Sequence, residues 1–206
     1  MNKGSIAAFW KEYSYGVVKM FVYQIAIAIF GMTLAIATGM SENTTLQLWS
    51  SAFAVLFYLF LVGSSMWEVG ASDKIRVDAG RAKAAPLRGL FMSLLANLPN
   101  LILALCIIVC SPFSADQLWA GNTVAVAKMI ALLIEGMYTG LLTIDVAGAP
   151  LNTYAWTFLA IIVPALSVST LCYFAGMKNF RIASILGMRE VNPAKSVHSN
   201  PGKPKK

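Results

Sequence analysis

Histidine, thiol and acid are scarce in this chain, and each scarcity removes a class of chemistry. One histidine is present, His198, in a polar stretch near the end, so a histidine-dependent hydrolase has no base to work with. Gly63-Ser64-Ser65 offers hydroxyls but no evident partner to activate them. The three cysteines, Cys106, Cys110 and Cys172, all fall inside apolar runs, where free cysteine behaves as a small hydrophobe. Cys106 and Cys110 stand one helical turn apart, yet no other soft ligand accompanies them. Neither a metal site nor a disulfide framework is expected, and no cofactor is implied.

Charge is scarce as well. Only 12% of the 206 residues are charged and 58% are hydrophobic, against about 25% and about 45–50% in soluble domains. With a mean hydropathy of +0.68 the chain is expected to be all-α, a multi-pass helical membrane protein. Residues 1–188 read as the membrane domain and 189–206 as a disordered basic tail, too poor in apolar residues to fold. The net charge of +7 flanks apolar runs, a pattern for topology and for anionic lipid head groups, and nucleic acid is not expected as a partner.

Five apolar runs are present: Val17 to Thr38, Leu48 to Trp67, Gly89 to Ser111, Thr123 to Ile144 and Tyr154 to Met177. The first exceeds the about 7–15 residues of a signal core and is read as a retained helix. Ahead of it, residues 1–16 carry Trp10, Tyr13 and Tyr15 and are expected to lie along the cytoplasmic surface. Gly31, Ala35 and Gly39 form a small-residue stripe for close helix packing, as do Gly136 and Gly140. Pro99 and Pro164 are expected to kink their helices mid-span, with Ser167, Ser169 and Thr170 satisfying the carbonyl freed at Ala160.

The loops carry the sidedness. Between Gly70 and Arg88 lie five basic residues, Lys74, Arg76, Arg81, Lys83 and Arg88, and seven more follow Met177. Residues 39–47 and 111–122 have no lysine or arginine. The amino terminus, the central basic loop and the tail are therefore expected in the cytoplasm, with the protein in the plasma membrane. Arg88 and the other four loop cations are candidate contacts for anionic lipid or an acidic partner. A short basic interfacial helix is expected over residues 179–188.

This creates a parity problem. Five full crossings would put the central loop and the tail on opposite sides. One segment is thus expected to lie flat or re-enter: the fourth, which carries Lys128 and Glu135, or failing that the third, interrupted at Asn97-Leu98-Pro99-Asn100. Lys128 and Glu135 stand about two turns apart on one face; Glu135 is expected to be functional near the midplane, or else protonated or paired with Lys128 or an amide such as Gln24, or carried on a segment at the interface.

Glu135, Asn97, Asn100 and Gln24 are the candidate ion- or substrate-binding residues, because ionisable and amide groups at membrane depth need partners or a function. Small-solute or ion transport, alone or as a membrane subunit, is the expected activity, and catalysis is not. The alternative is a non-catalytic accessory, assembly or regulatory protein, in which the small-residue stripes serve a homo-oligomer or a larger membrane complex. A lipid phosphotransferase of the CDP-alcohol type is excluded. Asp73 and Asp78 are five apart, and Gly89 to Ser111 contains no acid. The carboxylate loop is instead read as a helix capped from Ser72, with Lys74 and Asp78 paired.

Overall fold

Long apolar runs without helix breakers leave the backbone little choice but to satisfy its hydrogen bonds within each segment. The computed structural model describes residues 3–41 and 43–178, with side chains from residue 9, and is mostly helical (81%). Eight α-helices follow in order: α1 Lys3–Gly39, α2 Thr44–Asp78, α3 Arg88–Ala96, α4 Leu98–Cys110, α5 Leu118–Ile134, α6 Thr139–Leu142, α7 Thr157–Ala160 and α8 Val163–Met177. Short 3-10 turns at Ser111–Phe113, Gly136–Tyr138 and Leu151–Thr153 join them, and a two-stranded hairpin (β1 Asp145–Val146, β2 Ala149–Pro150) turns through Ala147 and Gly148, both at positive φ. Among the described residues, three helices are long and apolar enough to cross a membrane, and up to five if each bent pair counts as one span.

The first two helices are longer than expected. α1 includes the lead-in residues in one continuous helix, with Tyr13 buried against the bundle, so this segment does not lie apart from the first apolar run. α2 continues without a cap at Ser72 as far as Asp78 and shortens the basic loop to residues 79–87. No residue in Glu68 to Asp78 breaks a helix, and the Lys74–Asp78 pair at 2.5 Å supports its last turn. Asn43 caps the other end by accepting from the Leu46 N–H at 3.0 Å.

Neither proline sits mid-helix. Pro99 and Pro164 each fall in the first turn of a new helix, α4 and α8, where a missing N–H leaves no bond unmade. Ser169 and Thr170 donate to Ala165 and Leu166 one turn back, not to Ala160. The chain bends by 65° at Asn97 and by 91° at Glu135.

Close approaches fix the directions of the helices. A Cβ on Gly63 would meet Cys172 and Val168, one on Gly70 would meet the Tyr173 carbonyl, and one on Gly176 would meet Trp67 and Ala71. Numbers rise together, so α8 runs parallel to α2 and Lys178 emerges at the same end of the bundle as the basic loop. α1 runs the other way along α2, pairing Arg76 with Glu12 near one end and Thr38 with Ser50 near the other.

The stretch between loop and tail also registers against α2. Arg88 at the start of α3 meets Asp73, and Asn97 after α3 reaches Tyr58. Glu135 lies in electrostatic reach of the same Tyr58, the Met137 carbonyl accepts from Ser51 and Gly140 packs on Gln47. Residues α3 and 136–142 thus form two halves of one traverse down α2 from position 73 to position 47, about 39 Å at helical rise. α4 and α5 are a helical hairpin inserted at its midpoint. That hairpin packs against Phe158 of α7 and Ile162 in a second apolar core (with Ala104, Ile107, Val124 and Ala127), distinct from the main one around Met20, Tyr58, Met66, Met92 and Tyr173.

Candidate functional site

Two breaks in helix at one depth place unusual side chains together. Asn97 ends α3 and precedes α4, donating from Nδ2 to the Ser93 carbonyl at 2.9 Å while its Oδ1 accepts from Asn100 Nδ2 at 3.3 Å. Tyr58 of α2 stands within hydrogen-bonding reach of Asn97 and within electrostatic reach of Glu135. Tyr138, in the turn after Glu135, faces both Glu135 and Tyr58. Glu135 itself is 3% exposed. Its position depends on Gly136 and Gly31: a Cβ on Gly136 would lie 2.6 Å from the Ala28 carbonyl, and one on Gly31 would lie 2.4 Å from Met137 Cα. The small-residue positions singled out in the sequence are therefore used to press the broken segment onto α1.

Gln24 belongs to the same level. Gly16 of α1 touches Met92 of α3, and both helices run the same way from there, so Gln24 lies level with the Asn97 break. It is 1% exposed. Among the described residues, three buried oxygens around this level have no hydrogen-bond partner: Gln24 Oε1, Asn100 Oδ1 and the Tyr138 hydroxyl. Of the three, the Tyr138 hydroxyl faces the Glu135 carboxylate, and oxygen groups of this kind suit a hard cation or protons moving between oxygens.

Lys128 is not part of this group. Its ammonium donates to the Asn152 carbonyl at 2.9 Å and to that of Thr153 at 3.4 Å, bracing α5 against the Leu151–Thr153 turn. The expected face shared with Glu135 is lost because α5 ends at Ile134.

Of the five loop cations, Arg81 and Lys83 are exposed in the loop. Lys74 pairs with Asp78 and Arg76 with Glu12. Arg88 turns inward and does not face solvent as a loop residue would. Its Nη1 donates to Asp73 Oδ2 at 2.7 Å and to the Tyr13 hydroxyl at 2.5 Å, with the guanidinium 4.7 Å from the Tyr13 ring. Asp73, 1% exposed, also accepts from Tyr13 at 3.0 Å and from Tyr173 at 2.8 Å. This clasp ties α1, α2, α3 and α8 at the basic end. Sequence reasoning missed it, since only the tyrosines' place at the ends of apolar runs hinted at it. A layer of buried methionines, Met20, Met66 and Met92, separates it from the Glu135 level.

The apolar helices are compatible with a membrane protein. Set against protein-family models, curated proteins and solved structures, the chain matches none, so its function has to be read from its own site.

Proposed function

We propose that this is an integral protein of the cytoplasmic membrane that moves a monovalent cation or protons, alone or as the membrane subunit of a larger assembly. The carrying observation is the buried carboxylate of Glu135 at a helix break, level with a second break at Asn97 and with unpartnered oxygens nearby. Interrupted helices meeting at mid-depth are the parts from which ion sites in transporters are built. An ionisable group there has a cost of about 3 kcal/mol in a lipid setting, which a bound cation or a shared proton offsets.

In this reading α1, α2, the composite of α3 with residues 136–142, and α8 are four crossings. The α4–α5 hairpin is the segment that enters without adding one. Amino terminus, basic loop and residue 178 then share the cytoplasmic side, in keeping with the lysine and arginine bias. The accessory reading draws less support, because Gly31, Gly136 and Gly140 already pack within the chain.

The test is flux into liposomes holding the purified protein under an imposed potential, followed with an entrapped pH dye and with radioactive sodium. Protein-dependent uptake of one ion is expected, reduced at least tenfold by Glu135→Gln and unchanged by Asp116→Asn in an exposed loop. Uptake no greater than in empty liposomes for both ions, or full uptake by Glu135→Gln, would overturn the reading.

A further inference from the structure

Between α1 and α2, near the end that carries the basic loop, lies a crevice of about 230 Å³, open at one side and lined also by Met92 of α3. It is distinct from the Glu135 level and lies next to the Asp73 clasp. Four charged side chains line it beyond Asp73: Glu12 and Lys19 from α1, Glu68 and Arg76 from α2. Asp73 is satisfied by Arg88 and two tyrosines and is closed to a ligand. The remaining four balance, two cations against two carboxylates. Lys19 and Glu68 meet only at 3.6 Å, with Glu68 well exposed, so this pair is loose enough for a guest to enter between them.

A charge-balanced, partly apolar crevice selects a ligand that carries both signs. Its surroundings indicate which. Tyr15, which lines it, is 80% exposed, and such a side chain favours the headgroup level of a bilayer. Val18 and Val22, exposed one turn apart on α1, lead away toward the middle of the bundle as a track for an acyl chain.

We propose that the crevice binds the headgroup of a zwitterionic phospholipid bearing a primary ammonium, the phosphate against Lys19 and Arg76 and the ammonium against Glu68 and Glu12. Carboxylates ask for N–H donors, which a quaternary ammonium lacks. A quaternary group is held instead by a cage of aromatic faces, and of the two tyrosines lining the crevice Tyr13 is already covered by Arg88, which leaves Tyr15 alone and no cage. The proposal rests on the membrane placement given above and not on ion movement, so either can fail without the other.

The experiment compares the thermal midpoint of the full chain in nanodiscs of phosphatidylcholine with those in which a third of the lipid is phosphatidylethanolamine or phosphatidylglycerol. The ethanolamine lipid is expected to raise the midpoint by several degrees and the glycerol lipid by less. Lys19→Gln and Glu68→Gln, each as stable as the parent in phosphatidylcholine, should lose that increment. Equal midpoints in all three lipids overturn the proposal, as does a larger shift with the anionic lipid. An ethanolamine increment that survives in Glu68→Gln also overturns it, being then a property of the bilayer. Adding water-soluble glycerophosphoethanolamine to the phosphatidylcholine discs should do nothing; if it reproduces the whole shift, the guest is a soluble zwitterion and not a lipid.

Discussion

Two arginines on either side of the basic loop, Arg76 and Arg88, behave very differently in this chain. Arg76 meets Glu12 where both side chains are more than 40% exposed, whereas the Arg88 side chain is 16% exposed and its partner Asp73 is 2% exposed. Removing Arg88 strands a buried carboxylate, and breaking such a pair typically has a cost of about 3–5 kcal/mol. Removing Arg76 loses a surface pair of about 0–1 kcal/mol. Arg88→Ala is therefore expected to lower the unfolding midpoint in detergent strongly and Arg76→Ala hardly at all; equal effects would mean that the Asp73 clasp carries no load. The difference was not legible in the sequence, where both are basic residues near a loop. Tyr13 and Tyr173 lie 60 and 100 residues from Asp73, and no local spacing announces such partners. Lys74 with Asp78 was legible because the pair obeys the four-residue period of a helix. Glu135 was legible as an oddity, a carboxylate in an apolar run, while Tyr58 beside it looked like one more core aromatic.

At the level of elements, spacing was a better guide than breakers. Of the small residues at four-residue intervals, Gly31, Gly136 and Gly140 mark close contacts inside the chain, and Gly39 does not. A Cβ on Gly70 would stand 2.2 Å from the Tyr173 carbonyl oxygen, so Gly70→Ala must push α8 away from α2 and is expected to destabilise by about 1–3 kcal/mol. Gly39, with nothing nearer than 3.9 Å, should accept alanine with a change of no more than about 1 kcal/mol. Chemical unfolding of the two variants in the same detergent checks the contrast. The prolines misled because their position within an apolar run does not say whether the helix on either side is continuous. Pro99 and Pro164 are compatible with first turns, and the 3-10 turn at Gly136 that ends α5 carries no breaker stronger than one glycine. The basic interfacial helix expected over 179–188 and the tail expected over 189–206 lie outside the described residues.

For the molecule as a whole, counting charges led to the expectation that loop and tail share one side, and among the described residues the parallel course of α2 and α8 brings residue 178 to the end where the loop lies. What counting left open was how, because two half-length traverses interrupted by a hairpin read in sequence as two ordinary apolar runs. In a background freed of the three native cysteines, Lys83→Cys and Lys178→Cys should react with an impermeant maleimide only after the cells are opened, and Gly148→Cys in intact cells. Labelling of positions 83 and 178 from opposite sides would refute the four-crossing arrangement.

The most extensive contact between elements joins α2 to α8, and the partners Asp73 and Tyr173 are a hundred residues apart. A ribosome adding about 5–20 residues per second needs roughly 5–20 s to supply the second after the first. Throughout that interval the glycine-notched side of α2 has no mate, and whatever attends the nascent chain must shelter it before the bundle can close.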